Sequence, residues 1–200
     1  MGASWKTKTN KLPDMTATIN GLNGYSVEIG AIKGKHAWLA GIHEYGATIT
    51  PKNAKYLTVP THPDAVGKKA RDFTNLWTLR TESGELFLCR NRGKDAFDVM
   101  YWLTKSVKIP ERSFLRSSHD ENAEAVLKEC ERALGLVIHG KMSMEKYFDM
   151  VGRKYASMVK DYIRDLDHPP NSPITKENKG SDNPLVDTGG LIESISYRVK

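Results

Sequence analysis

The segments SSHDENAEAVLKECERALGLVIHG (117–140) and SMEKYFDMVGRKYASMVKDYIRDL (143–166) decide the fold. In each, apolar residues recur at the three- and four-residue spacing of an amphipathic helix, and Gly140 separates the two runs. Ser118 and Glu121 form a capping-box pattern that predicts the start of the first helix. Two such helices joined by a short connection pack antiparallel or onto one face of a sheet, because each must bury its apolar stripe.

The residues on either side of these helices are typical of short strands and tight turns. We expect a strand pair at 15–20 and 25–30, a helix in KHAWLAGIHEYG that ends at Gly46, and two short strands, ATITP and YLTVP, joined by a turn at 51–53. NLWTLRT and ELFLCRN predict a hairpin, and DVMYWLTKSVKIP predicts one longer strand. LVDTGGLIESISYRV predicts a helical turn capped by Asp187 or Thr188, followed by a final strand that pairs with an earlier one.

Together these patterns predict an α+β fold, with an antiparallel sheet packed against two long amphipathic helices and an inserted β-hairpin region. We expect a single domain over residues 1–200, with a β-rich elaboration at 62–108. Residues 168–184 are rich in proline and almost free of apolar side chains. They predict an extended loop outside the core, of a kind that is usually functional or ordered only by a partner.

The charge of the chain is concentrated in its middle third. The 200 residues carry 30 Lys and Arg against 24 Asp and Glu, and residues 50–116, with 13 basic and 7 acidic side chains, account for the net charge of +6. A solvated basic surface without a partner fits this composition as well as a surface for a polyanion does. The candidate contacts to DNA or to an acidic protein are Lys68, Lys69, Arg71, Arg90, Arg92 and Lys94.

Composition also bounds the class of protein. The two cysteines lie in apolar surroundings and cannot form a disulfide framework or a zinc ribbon. The N-terminus lacks the apolar stretch of a secretory signal, and no run reaches the roughly 18 apolar residues of a membrane span. We therefore expect a soluble protein that is made inside the cell and has no membrane partner.

His36, His43 and Glu44 are the first constellation to test for metal chemistry, because histidines seven residues apart share one face of a helix. A zinc-protease helix instead carries two histidines four apart with a glutamate between them. A helix with two partly exposed histidines is therefore the favoured interpretation. Since the sequence also lacks a nucleophile elbow and a P-loop, we predict no catalytic, cofactor-binding or metal-binding residue and no cofactor.

Three short motifs, taken in order and spacing, resemble a known family: HEYGATI (43–49), IPERSFLR (109–116) and KGSDNPLVDTGGL (179–191). The chain is similar over residues 25–199 to the neck and tail-completion proteins of tailed phages. That family is often labelled putative tail component or virion morphogenesis protein, and it is related to the lambda minor tail protein Z.

The resemblance implies a non-enzymatic α+β subunit of the virion, made in the cytoplasm of the bacterial host. It implies a ring, a hexamer or a dodecamer, at the head-to-tail junction, between head-completion and tail-terminator proteins. Double-stranded DNA would pass through the channel without sequence-specific contacts. The motif positions that carry this expectation are Glu44, Tyr45, Gly46, Pro110, Arg112, Phe114, Lys179, Gly180, Asp187, Thr188 and Gly189.

Within this frame, Gly46 is expected to end a helix, Pro110 to fix the start of the helical pair and Arg112 to bind a carboxylate of a loop. The basic region would line the channel or face an acidic neighbouring ring. Two alternatives stay open. One is a metal-dependent nucleic-acid-processing enzyme that uses His36, His43 and Glu44, and the other is an assembly factor absent from the finished particle.

Overall fold

The protein is built from helices and antiparallel strands, with most strands between the second helix and the two long helices. The computed structural model describes residues 12–32, 34–179 and 182–200. It is 46% helical and 21% strand, and it confirms the predicted α+β fold. Its helices are α1 (Leu12–Leu22), α2 (Lys35–Tyr45), α3 (Phe114–Ile138), α4 (Met144–Asp165), α5 (Pro173–Lys179) and α6 (Gly190–Ser194). Its strands are β1 (Val27–Ala31), β2 (Ala47–Ile49), β3 (Leu57–Pro60), β4 (Leu76–Arg80), β5 (Leu86–Asn91), β6 (Phe97–Thr104), β7 (Val107–Ile109) and β8 (Ile195–Val199).

The two long helices run antiparallel, as their pattern predicts. Lys154 on α4 forms an ion pair with Glu129 on α3 at 3.0 Å, and the Tyr162 hydroxyl donates to Glu121 at 3.3 Å. Later residues of α4 therefore contact earlier residues of α3. The two-stranded sheet of β1 and β8 packs against α4. The main core lies where α2, α3, α4, α6 and β8 meet, and its fully buried side chains include Phe114, Ile163 and Ile195.

A second, four-stranded sheet has the order β3-β6-β5-β4 and its own small core. The loop before β4, with short 3₁₀ turns at Pro63–Ala65 and Ala70–Asp72, covers one face of this sheet. Tyr101 is buried there, and its hydroxyl donates to the Lys68 carbonyl at 3.1 Å. The hairpin of β4 and β5 is confirmed. The sheet also includes β3, which precedes the predicted 62–108 boundary.

Strand pairing differs from the prediction in three places. Residues 15–20 belong to α1, and their half-buried positions, 15, 18 and 22, have helical spacing. β2 and β3 lie in different sheets, because β2 pairs with β7 and β3 with β6. The single strand predicted over 98–110 divides into β6 and β7. The final strand does pair with an earlier one, with Val27 opposite Val199.

Two predicted helix caps are also wrong. α3 begins at Phe114, so Ser118 lies one turn inside the helix, fully buried, and its hydroxyl donates to the Leu115 carbonyl. α6 begins after Gly189, and neither Asp187 nor Thr188 caps it. At α3 the first N–H groups instead bind a side chain that is distant in the sequence, because Leu115 and Arg116 donate to the Glu44 carboxylate.

Residues 168–184 are not the extended loop that their composition predicts, because they contain α5 and reach the core. The Asn183 side chain fixes the segment. Its amide donates to the Ile163 and Arg164 carbonyls at 3.1 and 2.8 Å, and its oxygen accepts from two backbone N–H groups after it. The adjacent Pro184 and Leu185 are buried.

None of the helices within the described ranges is long and apolar enough to cross a membrane.

Candidate functional site

The first two motif segments meet where α2 ends and α3 begins. Gly46 ends α2 with a φ of 69°. A Cβ at this position would lie 3.0 Å from the Glu111 nitrogen and 3.1 Å from the Ile109 carbonyl oxygen. Only glycine combines this backbone conformation with so close a contact. The predicted role of Gly46 is confirmed, and it brings β2 against β7 with Ala47 opposite Ile109.

Glu44 caps helix α3 from a distance of about seventy residues along the chain. It is 2% exposed, and its carboxylate accepts from Ser113 Oγ at 2.8 Å, from the Leu115 N–H at 2.9 Å and from the Arg116 N–H at 3.1 Å. Burial alone would raise the pKa of Glu44, but these bonds and one from the Arg116 side chain outweigh it and lower the pKa. The charge also lies at the positive end of the helix dipole. Glu44 is therefore an ionised structural group.

Arg116 binds Glu44 from the solvent side of the contact between the end of α2 and the start of α3. Its Nε donates to the Glu44 carboxylate at 3.0 Å, and one terminal nitrogen donates to the Glu44 carbonyl at 2.9 Å and to Glu111 at 2.7 Å. Its guanidinium carbon lies 4.9 Å from the centre of the Tyr45 ring. The sequence motifs do not by themselves indicate a role for Arg116, although it is the last residue of IPERSFLR.

Arg112 joins the junction to the third part of the chain. It is 5% exposed, and its Nε donates to the Pro169 carbonyl at 2.8 Å while one terminal nitrogen donates to the Pro170 carbonyl at 3.1 Å. The predicted partner was a carboxylate of a loop. The structure instead supplies two backbone carbonyls and, at 3.5 Å, the side-chain oxygen of Asn171.

All three motif segments line one cavity of about 810 Å³, which we call the motif cavity. HEYGATI contributes His43, IPERSFLR contributes Pro110 and Arg112, and KGSDNPLVDTGGL contributes Lys179 and Asp187. Its apolar wall includes Val59 of β3, Trp102 of β6 and Ile174 of α5. The fold thus brings together three motif segments that are far apart in the sequence.

The remaining motif positions have structural surroundings of their own. Phe114 is fully buried in the main core, and Tyr45 is 70% exposed on α2. Thr188 lines a second, smaller cavity next to α2 and α6, and Gly189 precedes α6. Gly180 lies outside the described residues.

His43 is half-buried, and its imidazole is neutral at pH 7. Burial, followed by the charges of Arg112 and Lys179, lowers its pKa from 6.5 to about 4. Its Nδ1 is buried without a hydrogen-bond partner among the described residues. Between pH 6.5 and about 4 the unfolded chain therefore binds a proton at this position that the folded chain does not.

We expect this difference to make the protein less stable as pH falls through that window. The contribution of His43 is fully present above pH 6.5 and is lost toward pH 4. We expect a loss of about 2 kcal/mol, less than the full conversion of the shift because part of the ring contacts solvent. Urea unfolding from pH 7 to 4 measures it. His43→Gln should flatten the profile in this window, and a variant with the wild-type slope would contradict the assignment.

The structure does not bring His36, His43 and Glu44 together as a metal site. His36 packs against Gly190 of α6 at the second cavity, whereas His43 lines the motif cavity and Glu44 caps α3. In the part of the chain that the structure describes, no group of three or more His, Cys, Asp or Glu side chains could hold a metal ion.

The six basic candidates lie on or beside the four-stranded sheet, in the inserted region of residues 62–108. They differ in whether an acidic side chain neutralises them. Arg90 is neutralised between Asp64 at 2.8 Å and Asp98 at 3.0 Å. Arg92 is 77% exposed and lies 3.8 Å from Asp98. The others are exposed on the loop before β4 or on the β5–β6 turn: Lys68, Lys69, Arg71 and Lys94. The sequence alone does not reveal Asp64 and Asp98 as the partners of Arg90, because their proximity depends on how the chain folds.

Comparisons of the chain with protein-family models, with curated proteins and with solved structures give no match.

Proposed function

We propose that this protein is a structural, ring-forming subunit of the neck or tail-completion apparatus of a tailed phage. The observation that carries the proposal is the convergence of the three motif segments. Their polar residues make structural bonds, with Glu44 capping α3 and Arg112 anchoring the segment before α5. Such bonds suit a rigid subunit, whereas a catalytic constellation would aim its charged groups at a substrate.

Exposed apolar side chains supply surfaces for ring assembly. Trp38 and Tyr45, seven residues apart on one face of α2, are 69% and 70% exposed, and Leu127 on α3 is 57% exposed. Large apolar groups in contact with water favour association. A ring needs two different complementary surfaces on each subunit, and α2 and α3 offer separate ones.

The basic side chains of the inserted region fit a surface that faces DNA or an acidic ring. Lys68, Lys69, Arg71, Arg92 and Lys94 are exposed on this region. Contacts of this kind with phosphate are independent of base sequence and weaken as salt rises. The proposal therefore includes DNA that passes the ring without specific readout.

We expect native mass spectrometry and negative-stain images to show a closed ring, formed by the protein alone or with the adjoining neck proteins. Trp38→Asp should reduce the ring to monomers, because it places a charge in the apolar contact on α2. The matched control is Val66→Asp, which makes the same change at a side chain 44% exposed on the inserted region, and it should leave the ring intact.

Two outcomes would overturn the proposal. One is a monomer under every condition, including mixtures with neck proteins. The other is absence from purified virions, where proteomics should find a connector in low, fixed copy, and this result would favour the assembly factor. A folded Trp38→Asp variant that still forms rings would remove α2 as the interface.

A further inference from the structure

The motif cavity concentrates positive charge. Arg112 and Lys179 both line it, and within the described part of the chain their hydrogen bonds go to carbonyl and amide oxygens and not to a carboxylate. Lys108 adds a third cation to the lining, and Asp187 is the acidic member of it. Charges that are removed from water require compensation, and this pair receives it only in part.

Burial raises the energetic cost of this uncompensated positive charge. Arg112 is 5% exposed, so its guanidinium is held inside the protein and not on its surface. Burial also lowers the pKa of Lys179, an effect that Asp187 opposes and Arg112 reinforces. The two cations therefore repel each other across the cavity, and an anion between them would relieve this repulsion.

Both cations retain donors that could bind an anion. The Lys179 ammonium donates to the Asn183 carbonyl at 3.2 Å, which uses one of its three N–H groups. The Arg112 side chain donates from Nε and from one terminal nitrogen, and its other terminal nitrogen makes no hydrogen bond to the residues that the structure describes. Charge-assisted hydrogen bonds between such a cation and an anion are about twice as strong as bonds between neutral groups.

The rest of the cavity wall is apolar. Val59, Trp102 and Ile174 contribute to it, together with Leu39, Val107 and Leu185. The volume of about 810 Å³ falls in the range of sites that hold a small organic ligand or a few residues of a peptide. A bare inorganic anion would leave this wall in contact with water.

We propose that the motif cavity binds an organic carboxylate attached to an apolar body, with the carboxylate between Arg112 and Lys179 and the apolar group against Trp102. This proposal does not depend on the ring function, because the isolated chain should bind the ligand. The same chemistry occurs in a free aryl carboxylate and in the C-terminal residue of a peptide, and the experiment separates the two sources.

The probes are 3-phenylpropionate and the tripeptide Ala-Ala-Phe, each compared with its neutral amide by isothermal titration calorimetry. We expect each carboxylate that binds to do so about tenfold or more tightly than its amide, the effect of a charge-assisted bond. Binding of the tripeptide alone would assign the site to a peptide chain, and binding of both would assign it to the shared chemistry. Failure of both, or equal binding of acid and amide, would overturn the proposal.

A pair of variants on α5 locates the binding. Lys179→Gln should weaken the carboxylate about tenfold. Lys176→Gln removes the same charge one turn away, where Lys176 pairs with Asp182 outside the cavity lining, and should have no effect. Equal effects of the two variants would show only general attraction to a basic protein.

The His43 imidazole provides a readout that a merely structural role would not change. His43 lines the same cavity as Arg112 and Lys179, and an anion bound between these two cations should raise the His43 pKa from about 4. Lys108 and Asp187 are the other charged side chains in the lining, and they are present with and without the probe. A nuclear magnetic resonance titration of His43 at saturating probe that shows no rise would place the binding elsewhere.

Discussion

Replacing Glu44 with alanine is expected to lower the free energy of unfolding by about 4 kcal/mol, the cost of breaking a buried charged network. The variant removes the acceptor for Ser113, for two backbone N–H groups of α3 and for the Arg116 side chain. In the wild-type protein Glu44 is only 2% exposed, so in the variant those donors would remain buried without this acceptor. Urea unfolding at pH 7 measures the change.

Glu111→Ala is the matched control for this prediction. Glu111 also pairs with Arg116, at 2.7 Å, but both side chains are more than half exposed. An exposed pair contributes less than about 1 kcal/mol. If Glu44→Ala cost no more than Glu111→Ala, the buried carboxylate would not be the group that holds α3 in place.

Acid should reproduce part of the Glu44→Ala effect. The pKa of Glu44 is lowered in the folded protein from its ordinary value of 4.5. The unfolded chain therefore binds the proton more tightly, so the contribution of Glu44 is present above pH 4.5 and is lost as pH falls through the folded value. This loss follows that of His43, which occurs at higher pH.

Local patterns account for what the sequence predicts well. α3 and α4 repeat their apolar spacing over 25 and 22 residues, and the β4–β5 hairpin needs only neighbouring residues. α1 has 11 residues and a composition that also suits a strand, and its packing near α3 decides its structure. Short segments are therefore predicted less reliably because distant contacts determine them.

The site shows the same division between local and distant information. Sequence patterns identify Gly46 as the end of a helix, since a helix end has a local signal, but they give the wrong partner for Arg112, whose carbonyl acceptors lie 57 and 58 positions away. They do not show that Glu44 caps α3, because the Glu44 carboxylate and the Leu115 N–H are separated by 71 positions. The capping box at Ser118 and Glu121 is a valid local pattern that this distant carboxylate overrides by starting the helix earlier.

The contact between α4 and β8 provides the second large expected effect. Gly152 is buried on α4 beneath the Tyr197 ring of β8, and a Cβ at this position would lie 2.2 Å from Tyr197 Cδ2 and 2.7 Å from Cγ. The Tyr197 hydroxyl also donates to Asp149, one turn earlier on the same helix. The Tyr197 ring is therefore fixed against α4 both by its packing on Gly152 and by the hydrogen bond of its hydroxyl.

Gly152→Ala is expected to destabilise the protein by about 2 kcal/mol. Alanine favours a helix over glycine by about 1 kcal/mol, but overpacking costs up to about 3 kcal/mol, and the displaced ring also loses its bond to Asp149. Gly135→Ala on α3 is the control, because a Cβ there meets nothing within 4 Å. It should stabilise the protein by about 1 kcal/mol.

A double-mutant cycle with Tyr197→Ala separates steric conflict from other effects of the alanine. With the ring removed, Gly152→Ala should become neutral or stabilising, because only its helix propensity remains. Urea unfolding of the four proteins in the cycle gives the coupling free energy. If Gly152→Ala is equally destabilising with and without the tyrosine, the close packing of β8 on α4 is not its cause. A large coupling would instead show that Gly152 allows β8 to pack closely on α4.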